Sequence, residues 1–288
     1  MNDLPPWVIW HIPHASTAIP AEFRDQFLLN DAELQAEAKL VADTGADELY
    51  LEPENFAIVF PMSRLVVDPE RLCGDAEPME KHGLGRIYRK THDGRPLRRD
   101  LTQDEEQALL NIYNDHHAQL TDLVDRILWA CGRCWILDGH TYPAEPLPFE
   151  DSDLARPPVC LGTDPKRTPD WLAPAFVDVF GEMGMLVELN TPYSGTLVPE
   201  KFKNDARVIS VMIEIRKDCY SDQIRPAVVR AIDAAEMARR TRAALRLKER
   251  RQNHPWYGKR AAECRARGGE EAEMENWLRL QGSAMLAD

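Results

Sequence analysis

No stretch of this sequence approaches the roughly 20 consecutive apolar residues that a helix needs to cross a bilayer, so membrane partners are not expected. The start, Met1-Asn2-Asp3-Leu4-Pro5-Pro6-Trp7, lacks the basic and apolar regions of a secretory signal, and a cytoplasmic location is expected. Basic charge is also short: 35 Lys and Arg stand against 48 Asp and Glu, a formal net charge of -13. An acidic surface repels phosphate, which argues against nucleic acid as a partner. An anionic substrate would have to be held by arginines of the site itself. Cysteine is sparse: Cys73, Cys131, Cys134, Cys160, Cys219 and Cys264 are scattered through a chain too large to need staples. Cys131-Gly132-Arg133-Cys134 is a lone C-x-x-C at a helix-to-strand handover. A structural zinc needs two more ligands and a redox pair would open a helix, so ordinary cysteines are expected there. Internal repeats and low-complexity segments are absent.

What the chain has is apolar material, 44% of 288 residues, enough for one large domain or a domain with an appendage. Short β-prone runs over 8–12, 56–60, 65–67, 134–137, 158–164, 185–189 and 208–216 alternate with helical patterns. A helix is expected from Asn30 or Asp31 through Tyr50. A second starts at the capping box Thr102-Gln103-Asp104-Glu105 and runs to about Ala130, and a third follows Thr168-Pro169 to Gly184. From Ser221 a long Ala/Arg-rich helix is broken at 254–258, with one or two short amphipathic helices over 259–288. This alternation predicts an α/β fold with a mixed, largely parallel central sheet flanked by helices. A catalytic domain over 1–220 would carry a helical extension over 221–288 packed on it.

The polar residues worth weighing sit where strands end, which is where open α/β sheets bind ligands. The first strand runs into Pro13 and His14; 134–137 runs into Asp138-Gly139-His140, a histidine with a carboxylate close behind; the last strand carries one acid, Glu214. A charge inside so apolar a strand costs free energy unless it is paired or useful. Asp43 and Asp47 stand four apart on the expected first helix, a repulsive spacing that a nearby cation would relieve. Arg64 and Arg71 flank Asp68-Pro69-Glu70, and residues 82–94 read equally as a lid over an anion or a plain surface hairpin. His117 on the long helix could turn inward.

A hydrolytic zinc site needs three protein ligands and an open position. His14 and His140 are the natural nitrogen ligands, Asp43 is the choice for the third, and Asp47 and Glu22 remain open alternatives. Glu214 suits a general base, and Arg64 and Arg71 suit bidentate capture of a carboxylate.

Together, His11-Ile12-Pro13-His14-Ala15-Ser16, Asp43-x-x-x-Asp47-x-Leu49-Tyr50, Ser63-Arg64-Leu65-Val66-Val67-Asp68 with Arg71, Asp138-Gly139-His140, Asn190-Thr191-Pro192-Tyr193-Ser194-Gly195 and Ile213-Glu214-Ile215-Arg216 resemble the N-formylglutamate amidohydrolase family. The resemblance runs in order from about Trp7 to Tyr220. Through that family's relation to zinc carboxypeptidases and aspartoacylases it implies a zinc-exopeptidase-like α/β sheet and one Zn2+ per chain. It also implies a small-molecule N-acyl amino acid substrate, with N-formyl-L-glutamate, cleaved to formate and glutamate, as prototype. Glu214 resembles the catalytic glutamate of the carboxypeptidases, and Asp138-x-His140 the later zinc histidine of the aspartoacylases. Asn190, Tyr193 and Ser194 would join the arginines around the substrate. The sequence departs from the pattern at Thr17, where H-x-x-E would place a glutamate, and at Asp68-Pro69-Glu70-Arg71, where Asp-Leu-Asn-Arg is usual. A peptidase or amidase acting on another acylated substrate, or a non-catalytic binding member, is the alternative. The helical tail would suit contact in a homo-oligomer.

Overall fold

The structure, a computed structural model, describes residues 4–72 and 77–253. Its centre is a six-stranded sheet in the order β2-β1-β3-β6-β4-β5. β1 (Val8–Ile12) is buried along its whole length, as an unbroken β-prone run should be. It pairs in parallel with β2 (Phe56–Val59) and with β3 (Cys134–Tyr142), and β3 pairs in parallel with β6 (Val208–Arg216). β4 (Val159–Gly162) runs antiparallel to β6 and parallel to β5 (Val187–Leu189). The expected mixed, largely parallel α/β sheet is therefore present, and the carboxyl ends of β2, β1, β3 and β6 open on one edge.

Side chains alternate across a strand, and here the alternation separates two cores. Val8, Trp10, Ile12, Leu137, Val211 and Ile213 face a core shared with α2 (Ala46–Tyr50), α4 (Leu172–Glu182) and the first turns of α5 (Ile224–Asn253). Ile9, Ile136 and Val208 face α3 (Gln103–Cys131), which buries Leu120, Leu123, Val124 and Ile127 against them. A third cluster, with Phe23, Phe27, Leu34, Phe60, Leu65 and Leu97, fills the space beneath the loops. α1 (Asp31–Val41) begins at a complete Asn30–Glu33 capping box, and α3 at the Thr102–Glu105 box expected of it. The chain divides into compact units over 1–235 and 236–288; in the second, Glu236 pairs with Arg239 and Arg240 along α5.

Several expectations are corrected. The helix expected from residue 30 through Tyr50 is two, because the chain leaves α1 after Val41, passes Asp43 in a loop, and turns at Gly45, whose φ of 84° is left-handed. Residues 65–67 are buried but form no strand; the Arg98 guanidinium takes the Leu65 and Val66 carbonyls instead of a neighbouring strand. β3 does not stop at residue 137. It stays paired with β6 through Tyr142, so Asp138 and His140 lie inside the strand. Thr168 does not cap α4, which starts at Leu172; its hydroxyl is donated to the Ser210 carbonyl on β6. The break expected at 254–258 and the helices expected over 259–288 lie outside the described residues, as do Cys73 and Cys264. Cys131, Cys134, Cys160 and Cys219 are free, and burial pushes the Cys134 thiol up to about 12. Among the described residues no helix is long and apolar enough to cross a membrane.

Candidate active site

Strand parity puts His11, Asp138, His140 and Glu214 on the same face of the sheet, with His11 in register with Asp138 and His140 in register with Glu214. All four are buried. β1 then delivers His14 just past its end, where the His14 carbonyl accepts the Asp43 N–H at 2.9 Å. That bond joins the loop between α1 and α2 to the same rim.

Each histidine has a carboxylate on one ring nitrogen. His14 Nε2 meets Asp68 Oδ1 at 2.9 Å, and His140 Nδ1 meets Asp43 Oδ2 at 2.9 Å. The opposite nitrogens, His14 Nδ1 and His140 Nε2, are buried and make no hydrogen bond among the described residues. Such a pattern, one nitrogen oriented by a carboxylate and the other bare, is how metal-binding histidines are presented. Among the described residues the ligand atoms of His14, Asp43 and His140 lie within 4.8 Å of one another, and those of His11, Glu70 and Asp138 form a second such group. Ligand atoms on a tetrahedral ion with bonds of about 2.0–2.1 Å stand roughly 3.3 Å apart. Asp43 Oδ2 lies 3.7 Å from the bare His14 Nδ1, close to that spacing, while its 2.9 Å contact with His140 Nδ1 is the hydrogen bond that orients the ring and leaves Nε2 to a ligand. The residues present therefore fit a divalent cation.

The histidines and carboxylates of the centre set one another's charge. Burial would raise the Asp43 carboxyl, but hydrogen bonds from His14 and His140 hold it well below the usual carboxylate range. Burial would likewise raise Asp68, and Arg64 and His14 hold it well below. Burial would discharge His140, but Glu70, Asp138 and Asp43 push its pKa well above the ordinary histidine value. Glu214 goes the other way. Burial, reinforced by Asp43, Glu70 and Asp138 against the pull of His140, raises its pKa to about 8, and its Oε2 has no hydrogen-bond partner among the described residues.

The expected ligands and base thus come together. Asp47 and Glu22 do not join them, since both are exposed. Arg64 is spent largely on Asp68, to which its Nε and one amino group donate at 2.9 and 2.7 Å. Arg71 is looser: its buried Nε makes no hydrogen bond among the described residues, with Asp68 3.4 Å away. In the turn after β5, the Asn190 amide accepts from Thr163 N–H and donates to its hydroxyl, both at 2.8 Å. The Tyr193 hydroxyl is held by Glu150 and Arg156 of the loop after β3, and Ser194 is exposed. Residues 82–94 are anchored here rather than free, through a Tyr88 hydroxyl donated to Asp68 at 3.0 Å.

Other members of the site are not visible as such in the sequence. The carboxylate behind His140 is Asp43; Asp138 instead accepts from His11 Nδ1 at 2.8 Å and stands 3.4 Å from His140 Nε2. The long helix turns His116 inward, its Nε2 2.8 Å from His11 Nε2, while His117 bonds the Pro69 carbonyl at 2.7 Å. Lys217 donates to the Ala42 carbonyl at 2.7 Å, and burial lowers its pKa despite the pull of Asp43 and Glu214. The period-2 position of His11 is the one sequence signal that could have placed it on the Asp138 and His140 face.

An α/β domain with a buried histidine–carboxylate centre and an isolated glutamate at its parallel strand ends defines a hydrolase-type site. The family model of N-formylglutamate amidohydrolases matches residues 6–221, and the chain belongs to that family; it is an amidohydrolase. No curated protein matches the chain. Among solved structures it is similar to the N-formylglutamate amidohydrolase from Ralstonia eutropha JMP134, with 23% identity, 82% of this chain and 95% of that chain covered, and a TM-score of 0.65. It is also similar to the gene product Atu2144 from Agrobacterium tumefaciens, at 21% identity, 84% and 92% coverage and a TM-score of 0.49. The first of these likenesses bears on the fold.

Proposed function

We propose that this chain hydrolyses the amide bond of an N-acyl amino acid, with N-formyl-L-glutamate as the prototype substrate. The observation that carries the reading is Glu214, a buried acid whose Oε2 has no hydrogen-bond partner among the described residues, in strand register with His140. His14, Asp43 and His140 are the residues that would hold a divalent cation, with zinc the expected ion. The resemblance to zinc carboxypeptidases and aspartoacylases supports that choice. Bound there, the cation would polarise the scissile carbonyl and acidify water. Its positive charge would also favour the ionised form of Glu214 against the burial that raises it.

Glu214 then takes the proton of the attacking water and returns it to the departing amine. Arg71 holds the substrate carboxylate by paired N–H donors, and Arg64 adds positive potential behind it while bracing Asp68 against His14. Asn190, Tyr193 and Ser194 would join the arginines around the substrate. A related reading, hydrolysis of a different acylated or peptide substrate, is favoured by Glu70, whose acid next to Arg71 would oppose a second substrate carboxylate.

The test is bound metal per chain by elemental mass spectrometry on the full chain and on His140→Ala, followed by turnover of a panel of N-acyl amino acids. About one zinc that the variant loses, with turnover of formylglutamate, is the expected result. No metal in the wild type after zinc is supplied would sink the mechanism, whereas metal with turnover only of other acyl substrates would favour the second reading. Arg71→Ala is expected to raise KM for a carboxylate-bearing substrate about 10-fold or more, the scale of a lost charged hydrogen bond; unchanged KM would remove Arg71 from the clamp.

A further inference from the structure

We infer that Glu70 is a further ligand of the cation, closing the centre in its resting state; the inference rests on the metal-dependent reading above. His14 Nδ1 and His140 Nε2, the two bare ring nitrogens, both look onto Glu70 Oε2, at 3.6 and 3.3 Å. These contacts form no hydrogen bond, but they match the roughly 3.3 Å between ligand atoms sharing one small ion. His14 Nδ1 is also nearly equidistant from the two carboxylates, with Asp43 Oδ2 at 3.7 Å and Glu70 Oε2 at 3.6 Å.

The Glu70 carboxylate is ringed by histidine nitrogens but makes no hydrogen bond to them. Its side chain is only 17% exposed, its other oxygen lies 3.6 Å from His11 Nδ1, and no side-chain hydrogen bond reaches it among the described residues. A carboxylate so enclosed is costly unless a cation stands with it.

The backbone holds this side chain to its place. The Glu70 N–H donates to Asp68 Oδ1 at 3.0 Å, the same oxygen that meets His14 Nε2. Its neighbours are tied to α3, the Pro69 carbonyl by His117 at 2.7 Å and the Arg71 carbonyl by the Tyr113 hydroxyl at 3.1 Å. Three protein ligands leave a hydrolytic centre one open position. As a further ligand Glu70 would occupy that position and withdraw before substrate enters.

The experiment uses the full chain, with zinc affinity read by chelator competition and the visible spectrum of the Co2+-loaded protein read without substrate. Glu70→Gln keeps the shape and removes the charge, and Glu70→Ala serves as the second variant. Both are expected to bind Zn2+ at least about 10-fold more weakly, on the scale of lost supporting groups at metal sites, and to change the Co2+ spectrum, which reports the ligand set. Unchanged affinity in both variants overturns the inference. Weaker binding with an unaltered Co2+ spectrum also overturns it, by reducing Glu70 to a nearby charge. In either case loss of metal from His140→Ala leaves the metal-dependent reading standing. A wild type that binds no metal removes both.

Discussion

At the scale of single residues, the site is built from groups that would be costly anywhere else. Glu214 is the clearest case: an acid ordinarily ionised above about 4.5 has its pKa raised to about 8 by burial, with Asp43, Glu70 and Asp138 adding to the rise. Between those values the folded chain keeps a proton that the unfolded chain has lost. Stability therefore falls as pH rises through that window. In chelator-treated protein, the stability of the wild type relative to Glu214→Gln is expected to decline by a few kcal/mol between pH 5 and pH 8. Urea unfolding at a series of pH values measures it, and parallel curves for the two proteins would refute the burial argument. With metal restored, the same variant should retain the ion yet lose about 100-fold or more in kcat, the range for a missing general base. Of these residues, His14, His140 and Glu214 were readable as lone polar groups in apolar runs. The choice among Asp43, Asp47 and Glu22 was not. It depends on the chain leaving α1 before Asp43 and turning at Gly45, which buries Asp43 and leaves Asp47 outside.

At the scale of elements, β3 holds the pieces in line. A polar Asp138-Gly139-His140 after an apolar run looks like a strand exit, yet β6 pairs with it residue by residue to Tyr142 and keeps it extended. Local pattern does not contain that partner, which is why the strand was expected to end too early. The same holds for residues 65–67, whose β-prone side chains are real but whose carbonyls go to Arg98. Gly139 shows how tightly the strand is seated. It faces the core opposite the site, where an added Cβ would lie 2.6 Å from Ile12 Cδ1 and 2.9 Å from Tyr50 Cδ2. Tyr50 has little room to yield, since its hydroxyl donates to the His140 and Ile213 carbonyls at 2.9 and 3.1 Å. Gly139→Ala is expected to cost about 1–3 kcal/mol, as overpacking does. It should also reduce metal affinity, because Asp138 and His140 move with the backbone. A variant as stable as the wild type in urea would show that the core gives way there.

At the scale of the whole molecule, the centre collects residues from segments remote in sequence: His14 beyond β1, Asp43 between helices, Asp68 and Glu70 beyond β2, His140 in β3 and Glu214 in β6. Parallel strands delivering their carboxyl ends to one edge bring these together. The α/β class was legible because strand and helix patterns alternate along the chain; which loops converge was not, because convergence follows from the sheet order β2-β1-β3-β6. A cation held by these segments would tie the folded state across the edge while gaining nothing comparable in the unfolded chain. Binding of that kind stabilises by RT ln(1 + [M]/Kd), about 2.7 kcal/mol when free metal is 100-fold above Kd. The melting temperature of chelator-treated protein is therefore expected to rise on adding zinc, by about 2–4 °C per kcal/mol for a domain of this size. His140→Ala should show no such rise. The carboxylates sharpen the expectation: Asp43, Asp138 and Glu70 crowd one buried space in a chain already at a net charge of -13, so removing the cation leaves their repulsion answered only by the histidines. A zinc-induced shift of equal size in His140→Ala would place the ion elsewhere on the protein, and no shift in the wild type would mean that the histidines alone balance these acids.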